Sequence, residues 1–90
     1  MESTLKKTSN PVLIRRWTEA RGGHPARVVA TPDPSALGIS FDEREATLEL
    51  IGWESFFNVI HKRELDFLYE EVAEDGSKSR FYKFVERKHS

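Results

Sequence analysis

Three histidines, His24, His61 and His89, are the side chains best suited to proton transfer or metal ligation near neutral pH. Their spacing matches no ligand motif such as His-Glu-x-x-His, and the chain has no cysteine to complete a set. His61 falls near the C-terminus of an expected helix, where a protonated imidazole favours the helix dipole. His24 precedes Pro25 and reads as a turn residue. Ser9, Ser35, Ser40, Ser55, Ser77 and Ser79 lack a nucleophile elbow or a histidine partner. The run Arg21-Gly-Gly-His-Pro25 has the composition of a phosphate loop. Such loops precede a helix, whereas this one follows an expected helix C-terminus, so the glycine pair reads as a stop signal. The expectation is a non-enzyme: no catalytic, cofactor-binding or metal-binding residue is assigned.

Charge offers more than nucleophiles do. Arg15, Arg16, Arg21 and Arg27 cluster around Trp17, while Arg80, Lys83, Arg87 and Lys88 gather near the C-terminus. Arginines beside accessible aromatic rings can hold single-stranded nucleic acid by stacking and phosphate contacts. Arg15, Arg16, Arg80, Lys83, Arg87 and Lys88 are therefore the candidate polyanion contacts, although Trp17 belongs to a buried stripe and no RNP-type motif is present. The net charge of -1 hides a segregated pattern. Residues 1–31 hold six basic and two acidic side chains, 32–76 three and twelve, and 77–90 five and one. If the two ends lie side by side, a basic face opposes an acidic one; otherwise the charges pair across neighbouring elements.

The elements that must position these groups follow from hydrophobic period. Ser9 or Asn10 caps a helix whose first residue is Pro11, where a missing N–H costs nothing. Leu13, Trp17 and Ala20, widened by Ile14, form its buried stripe, and the helix reaches about Arg21. Arg27–Thr31 reads as a strand, Thr31–Ser35 as a turn, and Leu37, Ile39 and Phe41 as alternate positions of a second strand. Asp42–Glu45 reads as a solvated turn. Leu48 and Leu50 mark a third strand ending near Gly52. Trp53, Phe56, Phe57 and Ile60 then give a second helix one apolar face, and rings this large are needed for the core of a small chain rather than for a ligand platform.

A hairpin closes the chain. Leu65–Val72 and Ser79–Glu86 flank Asp75-Gly76, a type I′ turn signal. Centring the turn there sets Glu71 opposite Arg80, Tyr69 opposite Tyr82 and Phe67 opposite Phe84, favourable pairs that fall out together. A longer Ala73–Gly76 loop is the alternative. Lys83 and Phe81 would line the second face of this sheet with Leu68, Glu70 and Val72. The expected order is α-β-β-β-α-β-β, an α+β fold with a mostly antiparallel sheet and two helices packed on one face. Residues 1–9 read as a flexible tail, 10–87 as one small domain and 88–90 as a flexible end.

The chain resembles a family of small, largely uncharacterised bacterial proteins. The resemblance is carried by Ile14-Arg-Arg-Trp-Thr-Glu-Ala-Arg-Gly-Gly23, Pro25-Ala-Arg-Val28, Ile51-Gly-Trp-Glu-Ser-Phe-Phe57, Leu65-Asp-Phe-Leu-Tyr69 and Ser79-Arg-Phe-Tyr-Lys-Phe-Val85. Members are sometimes catalogued as 1,4-α-glucan branching enzymes. The resemblance supplies no catalytic residue. Retaining glucan transfer needs two carboxylates about 5–5.5 Å apart in a sugar cleft, normally on a barrel of about 250 residues. Ninety residues cannot build that barrel.

Composition bounds the rest. Val, Leu, Ile and Phe supply 23 of 90 residues, enough for a folded core. No apolar run approaches the roughly 18–20 residues of a membrane span, and the N-terminus lacks a signal peptide's apolar stretch. With no cysteine, a soluble cytoplasmic protein is expected. The preferred function is protein–protein or self-association, with nucleic-acid binding through the basic ends as the alternative. No cofactor and no membrane contact are expected.

Overall fold

A computed structural model describes residues 5–33, 36–42 and 46–87. The chain runs β1 (Leu5–Thr8), α1 (Pro11–Glu19), β2 (His24–Val28), β3 (Leu37–Ser40), β4 (Leu48–Leu50), α2 (Trp53–Lys62), β5 (Leu65–Glu70) and β6 (Tyr82–Glu86). This is an α+β fold with two antiparallel three-stranded sheets, ordered β1-β5-β6 and β3-β2-β4. The single expected sheet is thus divided in two. Parts of the expected turns (Pro34, Ser35 and 43–45), together with 1–4 and 88–90, lie outside the described residues.

The expected α-β-β-β-α-β-β order gains a strand at its start. Leu5–Thr8, assigned above to a flexible tail, pairs with β5, setting Leu5 opposite Glu70 and Thr8 opposite Phe67. Leu-Lys-Lys-Thr has no alternating pattern, because an edge strand is held by backbone hydrogen bonds more than by burial.

Asn10 caps α1 as its side chain suggests, its Oδ1 accepting from the Val12 N–H at 2.9 Å. The buried residues are Ile14, Trp17 and Thr18, so the helix is turned by about one position from the expected stripe. Thr18 explains the difference. Its hydroxyl donates to the Ile14 carbonyl at 2.8 Å, so a polar residue that pattern analysis places outside is fully buried at no hydrogen-bonding cost. Leu13 and Ala20 are left exposed. The helix stops where the glycines stand: Gly22, at φ +69°, donates to Glu19 and Gly23 donates to Thr18, a Schellman closure. Gly23 also has no room for a Cβ, which would lie 2.9 Å from atoms of Ile39, Phe41 and Thr18.

β2 starts three residues before the expected Arg27. Pro25 is tolerated because it stands one residue before the Ala26–Leu50 pair, so its missing N–H falls at the end of the ladder with β4, while its carbonyl still accepts from Ile51 N–H. His24, read above as a turn residue, is the first residue of this strand and faces Ser40.

The core lies between both helices and the inner face of β5-β6. Trp17 of α1 packs edge-on against Phe67 at 5.3 Å, and Phe56 of α2 against Phe84 at 5.8 Å. The second sheet joins through Ile39, whose N–H donates to the Tyr82 hydroxyl at 2.9 Å. Phe67 opposes Phe84 and Tyr69 opposes Tyr82, the expected register. Beyond Tyr69 that register fails. Val72 bridges Lys78, and a three-residue loop replaces the two-residue turn, with Ala73 N–H bonded to Ser77 and Gly76 N–H to Ala73. The extra residue bulges on the Ser79–Phe81 side, so Arg80 does not face Glu71. In the loop, the Ser77 hydroxyl and N–H both donate to Asp75, which holds that carboxyl below its usual range. This loop stabilisation is present above the ordinary carboxylate range and is lost as pH falls through the lowered value.

Phe56 is fully buried whereas Phe57 is only half-buried. In urea denaturation, Phe56→Ala is expected to cost about 3–5 kcal/mol and Phe57→Ala distinctly less. Equal costs would move the centre of the core to Phe57.

Candidate functional site

The cationic residues singled out by sequence do not form one surface. Arg15 pairs with Glu19 at 3.1 Å and lies 5.8 Å from the Trp53 ring, toward α2. Arg80 sits 5.3 Å from the Phe41 ring. Arg87 is bound to Asp66 at 3.0 Å and to the Leu65 carbonyl. Lys83 shares the outer face of the β1-β5-β6 sheet with Arg87. Lys88 lies outside the described residues. Arg16 stands apart, on the side of α1 that faces the β5–β6 hairpin.

The sheet order does bring the two basic ends together, on either side of β5. Lys7 of β1 and Lys83 of β6 both oppose Leu68, so the two lysines flank it, about 10 Å apart across the sheet. Among the described residues neither lysine has an ion pair. The aromatic rings of this sheet, Phe67, Tyr69, Tyr82 and Phe84, turn inward to the core. Phe81, just before β6, stays 48% exposed, whereas Val72, expected on this outer face, lies against α1 with Trp17 and Tyr69.

A better-formed concavity lies between α1 and the hairpin. Leu13, Trp17, Ala20, Tyr69 and Val72 supply its apolar surface, while Arg16, Arg21, Glu71 and Lys78 rim it, around a volume of about 330 Å³. Leu13 and Val72 are each 41% exposed, and Trp17 beneath them only 5%. Both exposed apolar residues trace to departures from simple patterning. The turn of α1 about its axis leaves Leu13 out, and the slipped hairpin register brings Val72 and Lys78 to face each other. Sequence reasoning missed this site for those two reasons. The available signal was Thr18, whose i, i+4 relation to Ile14 permits burial.

Arg21 holds the groove's wall in place. Its guanidinium donates to the carbonyls of Trp17 (2.9 Å), Glu71 (2.8 Å) and Ser79, and stacks 4.4 Å above the Trp17 ring. Burial pushes its pKa down from the ordinary arginine value while the Glu71 carboxylate opposes the shift; an arginine so placed remains cationic. The Trp17 indole N–H donates to the Glu70 carbonyl at 3.0 Å, and Lys78 reaches the Ala20 carbonyl at 3.3 Å. Helix and hairpin are thus stitched by side chains from both.

His24 begins β2 and His61 lies in the last turn of α2; His89 is outside the described residues. No group of three or more His, Cys, Asp or Glu side chains suited to a metal occurs among the described residues. No described helix is long and apolar enough to cross a membrane. Comparison with protein-family models, curated proteins and solved structures finds no match to this chain. Its class is therefore the one that its own architecture defines, a small α+β domain with two antiparallel sheets.

Replacing Arg21 by Met keeps the aliphatic stem and removes the donor shared by three carbonyls, of which Glu71 keeps only the longer bond from Ser79 N–H. The expected cost is about 1.5–3 kcal/mol in urea denaturation, with faster amide exchange at Ser79–Phe81. Arg21→Lys retains the charge without the fork and is expected to recover less than half of the loss.

Proposed function

We propose that the chain is a non-enzymatic protein-association domain that docks its partner in the groove between α1 and the β5–β6 hairpin. The observation that carries this is the pair Leu13 and Val72, two exposed aliphatic side chains held over a buried tryptophan and bordered by charge. Apolar anchors within a polar rim are the usual anatomy of an association surface. A pocket of this volume, near the lower end of the roughly 300–1,000 Å³ range of ligand sites, holds a side chain or two rather than a large ligand.

Photo-crosslinking residues placed at Leu13, Val72 and Val29 provide the test. Val29 is as exposed as the other two, at 41%, but lies after β2, away from the groove. Discrete adducts in the native host at Leu13 and Val72, and none at Val29, are expected. The same adduct pattern at all three positions would remove the groove as the docking site.

The second reading, nucleic-acid binding through the basic ends, is favoured by one observation, the Lys7–Leu68–Lys83 row on the open sheet face. If it is right, retention on heparin or single-stranded DNA falls with salt and is lost in Lys7→Glu with Lys83→Glu. Arg87→Glu is a poorer probe because that guanidinium is already engaged by Asp66. Absence of retention at low salt would sink this reading.

A further inference from the structure

We propose that the occupant of the groove is an acidic peptide segment carrying a large apolar side chain, an inference that rests on the association reading above. The floor accounts for the apolar side chain. Leu13 and Val72 stand at its edges with Trp17 and Tyr69 below, a surface that gains by losing water. The rim accounts for the acidity. Three cations, Arg16, Arg21 and Lys78, border it against one carboxylate, and that carboxylate, Glu71, is bound to Lys6 at 3.3 Å.

The three cations do different things. Arg21 has its guanidinium turned to the carbonyls of Trp17, Glu71 and Ser79, so it contributes field rather than a fork for the ligand. Lys78 spends one contact on the Ala20 carbonyl and keeps donors to spare. Arg16 is exposed and has no ion pair among the described residues, leaving its guanidinium open for bidentate capture of a carboxylate. A ligand carboxylate beside the seated apolar residue therefore meets Arg16 on the helix wall or Lys78 on the hairpin wall. A basic segment would meet like charge at both. The chain's own acidic middle, residues 32–76, makes a second copy the competing occupant.

The probe is a fluorescein-labelled, end-blocked peptide in which glutamates flank a central Leu-Phe pair, read by anisotropy. Two control peptides replace the glutamates by lysines or the Leu-Phe pair by Ser-Ser. Saturable binding of the acidic peptide alone is expected, weakened about tenfold or more by Arg16→Glu with Lys78→Glu and by Val72→Ser. Lys83→Glu, on the open sheet face, is expected to leave it unchanged. Arg16→Gln with Lys78→Gln serves as the milder charge-neutral variant, and circular dichroism melts of all variants verify the fold. Equal binding of the lysine peptide, or indifference to the groove variants, would overturn the proposal. So would concentration-dependent mass in light scattering that is lost in Val72→Ser without any peptide binding, an outcome that assigns the groove to a second copy. If groove-specific crosslinks form while the acidic peptide fails to bind, the association reading stands and the acidic occupant falls. If the crosslinks too are indiscriminate, both fall.

Discussion

Trp17 and Arg21 lie one helical turn apart, and the cation above the indole ring joins α1 to the far end of the second hairpin. The arginine is needed because the hairpin does not close regularly. Its ladder slips by one residue past Tyr69, which turns the Ser79 carbonyl to Arg21 and leaves the Glu71 carbonyl shared between Arg21 and the Ser79 N–H. A planar, rigid donor group can satisfy both while bonding back to its own helix, and a lysine cannot. Removing the guanidinium would expose the bulge's backbone and loosen the wall of the groove at once. The aromatic cluster beneath, in which Trp17 meets Phe41, Phe67, Tyr69 and Tyr82 edge-on, then fixes where the helix sits.

What the amino-acid order reveals is set by how each element is stabilised. Both helices, Asn10 as a cap, the glycine stop and the Phe67–Phe84 register are local or periodic features, and all are found in the structure. β1 was invisible because its stability comes from a strand near the other end of the chain. β2 was displaced because Pro25, a breaker in most strands, stands at the end of the ladder with β4, where only its carbonyl is engaged. The candidate site was the least legible part. It depends on a polar residue buried by an intrahelical bond and on a register slip fixed by a distant arginine, and neither is written in a hydrophobic pattern. Of the five described cations chosen from sequence, only Arg16 borders the groove, while Arg15, Arg80 and Arg87 have intramolecular partners.

The charge balance takes on a spatial meaning in this fold. Strand order puts the two basic ends on either side of β5, and helix packing puts Arg16 and Arg21 beside Lys78. Basic side chains therefore gather in two places, one flat and one concave. The flat one sets Leu68 and Val85 among Lys7, Asp66 and Arg87, with cations and carboxylates mixed and no concavity beside a buried ring. The concave one joins charge to exposed aliphatic surface, the combination that confers affinity and orientation together. That contrast, rather than the total charge, distinguishes the two functional readings.

The pairing of β1 with β5 also governs when the fold can exist. The central strand of that sheet, β5, pairs with β1, the earliest described strand, and with β6, the latest. The β1–β5 ladder closes a loop that contains both helices and the whole of the other sheet, so it cannot form locally. Closing contacts this distant in sequence is entropically slow. Until that loop closes, β5 keeps one bare edge, and a bare edge is a template on which another chain can pair.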